Sequence, residues 1–192
     1  MPSNAVPIIE FSDFSFQYFS QSKPTLQQVN LAIYPGQKVL IVGPSGSGKS
    51  TLAAAIAASH NNPDGQATPI FSTDDFFMVE GRYVFDGKKL AENHRLNLER
   101  TVDALSKGIT NVIVDNTNTQ AWECREYVRA AVHHGYDVRF VEADTPWARD
   151  AEECARRNTH GVPLASIRAM LSRWESDLTV ERCLSARAPW ER

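Results

Sequence analysis

One loop of the sequence carries the residues with the clearest chemistry. It runs Gly43-Pro44-Ser45-Gly46-Ser47-Gly48-Lys49-Ser50-Thr51 and fits the phosphate-loop pattern G-x-x-x-x-G-K-[ST] at every position. Its glycines let successive backbone N–H groups curl around a β-phosphate without Cβ clashes. Lys49 is placed to reach the β- and γ-phosphates, where it would also serve catalysis, and the Ser50 hydroxyl is placed to hold Mg²⁺. We therefore predict that these nine residues bind a nucleoside triphosphate.

The segments on either side of the loop are the ones that such a loop requires. Residues 38–42 form a β-branched apolar run, and the alanine-rich segment 50–58 has the composition of a helix. That helix would direct the positive end of its dipole at the phosphates. The alternative is a chance glycine- and serine-rich loop, which would not explain a strand before it and a helix after it.

The composition is that of an ordinary globular domain. The chain has 192 residues, 42% of them hydrophobic and 22% charged, with a net charge of −3. This charge gives no general reason for tight binding to nucleic acid or membranes, although a local basic channel is compatible with it. The three cysteines are scattered without a metal-binding spacing, and no apolar run approaches the roughly 20 residues of a membrane span. We therefore expect a cytoplasmic protein with reduced thiols, no signal peptide and no membrane insertion.

Strands and helices alternate along most of the chain. A helical segment ends near Gly108, the run 111–115 is almost continuously apolar, and a second helix and strand follow up to residue 142. Thr145-Pro146 has the pattern of a helix start, a capping residue followed by proline. This alternation predicts an α/β fold of the P-loop NTPase type: a parallel sheet flanked by helices, with the active site at the carboxyl ends of the strands.

The segment before the phosphate loop is rich in short runs of alternating apolar residues. Phe14-Ser15-Phe16-Gln17-Tyr18 and Gln28-Val29-Asn30-Leu31 predict an added N-terminal antiparallel β segment. Together with residues 36–52, these runs resemble the opening of an ABC-transporter ATP-binding subunit, over about residues 6–55. The resemblance implies that the nucleotide is ATP and that Tyr18 stacks on its adenine ring. The alternative for Tyr18 is an ordinary aromatic residue packed in the small sheet.

The ABC-like pattern stops after the phosphate-loop helix. Downstream the sequence has no Leu-Ser-Gly-Gly-Gln signature and no Asp-Glu pair that closes a hydrophobic strand. Over about residues 67–175 it resembles instead the P-loop kinase domain of the polynucleotide 5′-hydroxyl kinase group. The resemblance is carried by Ile70-Phe71-Ser72-Thr73-Asp74-Asp75-Phe76-Phe77, Val112-Ile113-Val114-Asp115-Asn116-Thr117-Asn118 and Ala155-Arg156-Arg157-Asn158-Thr159-His160-Gly161. It implies transfer of the γ-phosphate of ATP to a hydroxyl acceptor, such as the 5′ end of a polynucleotide.

The two resemblances share one phosphate loop, which predicts a single P-loop domain. The predicted domain spans residues 1–192. Its parts are an ABC-like β segment (6–36), the phosphate-loop strand and helix (37–60), a kinase-like core (67–175) and a tail (176–192). The core includes a lid at about 149–161. A natural fusion and an engineered chimera would both give this pattern. We favour a chimera because neither pattern is damaged near the junction.

Paired aspartates follow the strand after the phosphate-loop helix. In the kinases that this region resembles, the first of the pair takes the proton from the acceptor hydroxyl, which assigns Asp74 as the general base. Either carboxylate could instead cap a turn, the role we favour for Asp75. Phe76-Phe77 stand where some relatives carry an arginine near the acceptor phosphate. This departure leaves the preference for nucleic acid open.

A second polar cluster, Asp115-Asn116-Thr117-Asn118, ends the apolar run 111–115. The Asp115 carboxylate could hold Mg²⁺ through water, so we predict Ser50 and Asp115 as the metal-binding residues. The alternative for the cluster is a helix N-cap, which suits Asn118 and Thr119.

Arg149, Arg156 and Arg157 lie in a segment that resembles the lid of small kinases. Phosphoryl transfer depends on positioning and charge neutralisation, and the guanidinium fork matches two phosphate oxygens at once. We choose Arg157 as the catalytic arginine, while a solvated helix face would explain any of the three. We expect His160 to be a lid-turn residue and Tyr83 to be a packing residue.

Three functions are compatible with these patterns. The first, which we favour, is an ATP-dependent kinase acting on a hydroxyl, with a polynucleotide 5′ end as one acceptor. The second is a chimeric nucleotide-binding module without efficient catalysis. The third, an ABC-type ATPase subunit, is disfavoured because ABC hydrolysis needs the missing signature sequence from a dimer partner. We accordingly expect no ABC transmembrane partner.

Overall fold

The structure, a computed structural model, describes residues 6–7, 9–17, 19, 24–34, 37–59 and 67–191. The strands of this part of the chain are β1 (Ile9–Phe16), β2 (Leu26–Ile33), β3 (Gln37–Val42), β4 (Ile70–Phe71), β5 (Met78–Val79), β6 (Arg82–Tyr83), β7 (Ile113–Asp115) and β8 (Asp137–Glu142). Its α-helices are α1 (Lys49–Ala58), α2 (Leu90–Ser106), α3 (Ala121–His133), α4 (Ala151–Arg157), α5 (Leu164–Ser172) and α6 (Val180–Ser185). Short 3₁₀ helices span Thr73–Phe77 and Gly87–Lys89.

Strands β1 and β2 pair as an antiparallel hairpin ahead of the phosphate loop. Phe11 lies opposite Leu31, and both side chains are buried. Strand β1 is a single strand whose register shifts near Asp13. Asp13 adopts a positive φ of 52°, and its N–H donates to Asn30 Oδ1 at 2.9 Å. The hairpin confirms the predicted N-terminal antiparallel β segment.

The central sheet has the strand order β4-β7-β3-β8, and its strands are parallel. The phosphate-loop strand β3 is interior, because Val39 lies opposite Ile113 of β7 on one side and Arg139 of β8 on the other. Parallel strands need crossover connections, which the helices supply. The carboxyl ends of β3, β4 and β7 therefore open onto one edge of the sheet. This arrangement confirms the predicted α/β P-loop fold.

The hairpin and the phosphate-loop helix share one hydrophobic core. Apolar side chains of β1 and β2 are buried together with those of α1 and with single residues of β7, β8 and the loop that follows β8. The members of this cluster are Ile9, Phe11, Leu26, Leu31, Ile33, Leu52, Ala53, Ile56, Ile113, Val141 and Ala143. The hairpin is thus part of the same core as the sheet and helps to fix α1, the helix that follows the phosphate loop.

The C-terminal segment packs on the other side of the sheet. Helix α6 lies against α3, where Cys183 and Cys124 are both fully buried. Arg125 of α3 also forms an ion pair with Glu191, with Nη1 and Oε2 2.6 Å apart. The tail beyond residue 176 is therefore an integral part of this side of the domain. In the part of the chain that the structure describes, no helix combines the length and apolar character needed to cross a membrane.

One of the predicted helix starts is wrong in position. The helix expected at Thr145-Pro146 begins only at Ala151, because Asp150 supplies the cap by accepting the N–H of Glu153 at 3.0 Å. The Thr145 hydroxyl is used elsewhere, as described below. Helix α3 begins at Ala121 after Gln120, whose N–H donates to Glu123 Oε2 at 3.1 Å, whereas the alternative interpretation of the cluster placed the cap at Asn118 or Thr119.

Candidate active site

The phosphate loop connects β3 to α1 through a backbone path that glycine permits. Gly46 and Gly48 have φ angles of 83° and 100°, a region that is costly for residues with a Cβ. The N–H of Leu52 donates to the carbonyl of Gly48 at 3.0 Å. In general, a helix start leaves backbone N–H groups without an intrahelical acceptor, and such groups can bind an anion. The buried Ser47 Oγ also has no hydrogen-bond partner within the described residues, which suits a loop built for an anionic ligand.

Residues from the distant part of the chain hold the loop by its backbone. Thr145 Oγ1 donates to the carbonyl of Ser47 at 3.0 Å, and Trp147 Nε1 donates to the carbonyl of Gly46 at 3.3 Å. Helix α4 lies so close that a Cβ on Gly46 would be 2.0 Å from the carbonyl oxygen of Cys154. The loop geometry therefore depends on the segment from Thr145 to α4.

Lys49 and Asp115 form a buried ion pair at the base of the loop. Lys49 Nζ lies 3.0 Å from Asp115 Oδ1, and the two side chains are only 7% and 5% exposed. The pair follows from the sheet order, because β3 and β7 are neighbours and their carboxyl ends meet. The cation predicted to reach the phosphates thus contacts the carboxylate predicted to hold the metal.

The residues at this edge suit a magnesium ion that shares its coordination with phosphates. Within the described residues, no three His, Cys, Asp or Glu side chains come together in a way that could hold a metal ion. Mg²⁺ in nucleotide sites takes only one or two protein oxygens, with phosphate oxygens and water as its other ligands. The exposed Ser50 at the start of α1 and the carboxylate of Asp115 provide oxygens of that kind. The donor set therefore fits Mg²⁺ held together with a nucleotide.

Asp74 lies in the 3₁₀ helix directly after β4, and both of its carboxylate oxygens have partners. The Tyr83 hydroxyl donates to Oδ1 at 2.9 Å, and His160 Nδ1 lies 3.3 Å from Oδ2. The Tyr83 and His160 rings are stacked, with centroids 4.1 Å apart and an interplanar angle of 11°. The sequence assigned Tyr83 to packing and His160 to a lid turn. The structure places both at the predicted general base.

Asp75 has a structural role. Its carboxylate completes a capping box with Ser72 at the start of the 3₁₀ helix and pairs with Arg100, whose Nη2 lies 2.6 Å from Oδ2. Arg100 also donates to the carbonyl of Ser72 at 2.6 Å and lies over the rings of Phe71 and Phe76. These contacts agree with the capping interpretation of Asp75 and leave Asp74 as the aspartate directed at Tyr83 and His160.

A buried polar network ties Asp74 to the metal side of the site. The N–H of Thr73 donates to Asn116 Oδ1 at 2.9 Å, and Asn116 Nδ2 donates to the Tyr127 hydroxyl at 3.1 Å. Tyr127 is held in turn by Asn97 Nδ2 at 3.0 Å. Because Thr73 precedes Asp74 and Asn116 follows Asp115, the network fixes the two aspartates relative to each other. The sequence pattern gave no indication of this network beyond Asn116 itself.

The three lid arginines differ in their surroundings. The side chain of Arg157 is 11% exposed, its Nε donates to Glu153 at 3.0 Å, and its Cζ lies 3.7 Å from the centroid of the Trp147 ring. Arg156 is exposed on the helix surface and pairs with the same glutamate. Arg149 lies before α4, where it pairs with Glu142, the β8 residue opposite Val42 at the end of β3. Arg157 is thus the arginine joined to the phosphate loop, through Trp147, which the sequence analysis did not single out.

Two remaining predictions concern Tyr18 and the cluster after Asp115. Tyr18 lies outside the described residues, so its role at adenine stays a prediction. Asn118 is buried with a positive φ of 38°, and its Nδ2 has no hydrogen-bond partner within the described residues. The Thr119 hydroxyl donates to Glu123 Oε2 at 3.0 Å and accepts from Arg173 Nε at 2.9 Å. The cluster therefore lies inside the domain, between the site and α3.

Comparison with known proteins places the chain in a family. The pattern of the AAA domain family (AAA_33) matches residues 39–176, and the chain belongs to this family. Human NEDD4-binding protein 2 is 43% identical over 151 residues, which are 79% of this chain and 8% of that protein. An ABC transporter ATP-binding protein of Staphylococcus aureus (strain MSSA476) is 70% identical over 50 residues, which are 26% of this chain and 9% of that protein. The chain thus spans less than a tenth of either relative.

Solved structures agree with the fold. A structure of the Pnkp1/Rnl/Hen1 RNA repair complex aligns with a TM-score of 0.51 and 24% identity, covering 71% of this chain and 43% of that one. The structure of a kinase from Chloroflexus aurantiacus aligns with a TM-score of 0.52 and 16% identity, covering 72% and 76%. The matches confirm both resemblances seen in the sequence: an N-terminal part like ABC ATP-binding proteins and a core with the P-loop kinase fold. Nucleotide binding by the P-loop domain follows from the family.

Proposed function

We propose that the protein is an ATP-dependent kinase that transfers the γ-phosphate of ATP to a hydroxyl acceptor. The observation that carries the proposal is the continuous set of contacts from the phosphate loop to Asp74. Lys49 pairs with Asp115 at 3.0 Å, the adjacent Asn116 holds the N–H of Thr73 at 2.9 Å, and Asp74 follows. A phosphate-binding cation and a candidate base are thereby fixed at the same edge of one sheet.

The chemistry assigns each of these side chains one task. The acceptor oxygen attacks the γ-phosphorus, its proton passes to the Asp74 carboxylate, and the bond from the γ-phosphorus to the bridging oxygen breaks to release ADP. Lys49 and Arg157 neutralise charge on the phosphates, and Ser50 and Asp115 would hold Mg²⁺. When bound, the ion supplies further charge neutralisation at the β- and γ-oxygens. Tyr18 is proposed to stack on adenine.

The proposed acceptor is a polynucleotide 5′-hydroxyl. The resemblance of residues 67–175 to polynucleotide 5′-hydroxyl kinases supports it, as does the likeness in fold to a component of an RNA repair complex. A small-molecule alcohol is the alternative acceptor, because Phe76-Phe77 replace an arginine found in some polynucleotide kinases. Both acceptors would present a hydroxyl to the same carboxylate.

The test is the transfer of labelled γ-phosphate to oligonucleotides with a free 5′-hydroxyl. We expect labelling by the unaltered protein, and a fall of about 10²–10⁴-fold in Asp74→Asn with ATP affinity retained, the range typical of general-base catalysis. In Asp75→Asn the loss of rate should be much smaller, and the loss of thermal stability larger. Tight ATP binding without transfer to any hydroxyl would overturn the kinase proposal and favour the inactive nucleotide-binding module.

A further inference from the structure

Tyr83 and His160 hold Asp74 in a way that the proposed chemistry does not yet use. Tyr83 reaches Oδ1 from strand β6, and His160 reaches Oδ2 from the loop after α4. Because the two rings also stack on each other, the carboxylate sits against a single two-ring surface. Neither residue has another evident task in the site.

We propose that Tyr83 and His160 are positioning residues that fix the orientation of the Asp74 carboxylate toward the acceptor hydroxyl and fasten the lid to the acceptor side of the cleft. The proposal rests on the proposed kinase function. It joins two separate parts of the fold, since Tyr83 belongs to the β5–β6 hairpin and His160 follows the helix that carries Arg157. The contact thereby links the proposed base to the segment that follows α4.

These two contacts leave the carboxylate able to act. A carboxylate has about four acceptor positions, so Asp74 keeps free lone pairs beside the hydrogen bond from Tyr83 and the close contact with His160. A hydrogen bond at one oxygen and an imidazole nitrogen 3.3 Å from the other restrict rotation about the Cβ–Cγ bond, and so decide where those lone pairs point. Correct placement of a reacting group is among the largest contributions to catalysis. Tyr83 and His160 keep their own protons while the acceptor proton moves to Asp74.

The surroundings keep Tyr83 in the donor role. Burial, followed by the charge of Asp74 and the hydrogen bond to it, raises the pKa of Tyr83, so its hydroxyl stays protonated at neutral pH. The rings of Phe77 and Tyr83 are also in contact, with centroids 5.8 Å apart, and this holds the tyrosine against the 3₁₀ helix. The charge of Asp74 also acts on His94, whose pKa is lowered mainly by burial. His94 is therefore neutral where the reaction would be measured.

A double-mutant cycle tests the positioning role. Tyr83→Phe keeps the ring stack and removes only the hydroxyl, and we expect kcat to fall about 10-fold with the KM for ATP unchanged. His160→Ala should cost a similar factor, and His160→Asn should recover most of it because an amide N–H can replace Nδ1–H. In an Asp74→Asn background the same substitutions should change kcat less than about 2-fold, because the carboxylate through which they act is gone.

Matched controls separate this role from general stability. Tyr136→Phe removes a hydroxyl that donates to the carbonyl of Leu105 at 3.1 Å, away from the site, and should leave kcat unchanged. His134→Asn, at the end of α3, should also leave kcat unchanged. Equal losses from Tyr83→Phe with and without the Asp74 carboxylate would overturn the proposal. So would an effect confined to the KM for ATP.

A spectroscopic measurement does not depend on the kinase activity. If His160 donates from Nδ1 to Asp74, the nitrogen-15 NMR shifts of its ring, recorded at a pH where those shifts show the ring to be neutral, should report the Nδ1–H tautomer. Asp74→Ala should move the ring toward the Nε2–H tautomer. If Asp74→Ala leaves the tautomer of His160 unchanged, His160 does not position Asp74, whether or not the protein is a kinase. If the tautomer changes as expected but the protein phosphorylates no acceptor, the positioning of Asp74 is supported and the proposed function is overturned instead.

Discussion

Arg157 lies over the ring of Trp147, with its Cζ 3.7 Å from the ring centroid, while Trp147 Nε1 donates to the carbonyl of Gly46 at 3.3 Å. One indole thus contacts the phosphate loop by its edge and the lid arginine by its face. A cation over an indole face is stabilised by about 0.5–2 kcal/mol, and the planar guanidinium keeps its orientation there. The position of Arg157 is therefore set by Trp147 together with Glu153.

Trp147→Leu should lower the rate of phosphoryl transfer by about 3- to 30-fold, the factor that corresponds to losing this contact. Trp147→Phe, which keeps an aromatic face but loses the N–H, should have a smaller effect. The measurement is kcat with saturating ATP. Trp174→Leu is the matched control, because Trp174 carries a similar stack with Arg149, at 4.4 Å, while its Nε1 has no hydrogen-bond partner within the described residues. A comparable loss of kcat in the folded control variant would refute the specific role of Trp147.

The buried Lys49–Asp115 pair makes a prediction about stability. Asp115→Ala leaves the Lys49 ammonium in a buried site without its partner, and truncation of one member of such a pair typically costs about 3–5 kcal/mol. The double variant Lys49→Met/Asp115→Leu removes both charges and should be more stable than Asp115→Ala alone. Urea unfolding of the three proteins gives the comparison. If the double variant is the least stable of them, desolvation of this pair is not the dominant effect.

Lys49 should also be necessary for nucleotide affinity. Lys49→Ala removes the cation at the phosphate loop, so calorimetric titration with an ATP analogue and Mg²⁺ should show a large loss of binding. Near-ultraviolet circular dichroism would establish that the variant is folded. Retention of the unaltered affinity would contradict the assignment of the loop as the phosphate site.

Gly46 is predicted to be the glycine most sensitive to substitution. A Cβ there would meet the carbonyl oxygen of Cys154 at 2.0 Å, in addition to the positive φ of 83°. Gly46→Ala should therefore cost several kcal/mol of stability, more than the ~1–2 kcal/mol expected for a left-handed residue in open space. Gly135→Ala is the control, since Gly135 has a φ of 76° and no atom within 4 Å of the added Cβ. If thermal unfolding shows the same loss of stability in Gly46→Ala and Gly135→Ala, α4 moves away readily from the added Cβ and the prediction is wrong.

His94 should make the protein less stable at mildly acidic pH. Burial lowers its pKa below the ordinary value of 6.5, and its Nδ1 lies 3.2 Å from Thr73 Oγ1. The unfolded chain then binds more protons than the folded one as the pH falls below about 6.5, so the free energy of unfolding decreases with it. His94→Asn should flatten this dependence between about pH 7 and pH 5. His133→Asn changes an exposed histidine and should not flatten the pH dependence of the free energy of unfolding. If it flattened this dependence as much as His94→Asn does, the assignment to His94 would be wrong.

Sequence patterns predicted the features of this fold that depend on local spacing. The phosphate-loop motif, the apolar strands and the polar residues at their ends suffice to place Lys49, Asp74 and Asp115 at the carboxyl edge of a parallel sheet. The Tyr83–His160 stack could not be foreseen, because no periodicity connects the two residues and only the folded chain brings them together. The helix start at Thr145 failed for a related reason. A hydroxyl that can cap a helix also bonds to the carbonyl of Ser47, and the tertiary partner prevailed.

The way in which the loop is held also bears on how two lineages can be joined at this point. Thr145, Trp147 and Thr117 contact the loop through the carbonyls of Ser47 and Gly46 and the N–H of Gly43. Every one of these loop atoms belongs to the main chain, which any sequence supplies when it follows the same path. A loop that follows the same path would therefore receive these three contacts whatever side chains it carried there. The Lys49–Asp115 pair and the core shared by α1, β7 and β8 still require matching side chains, and Gly46 must lack a Cβ.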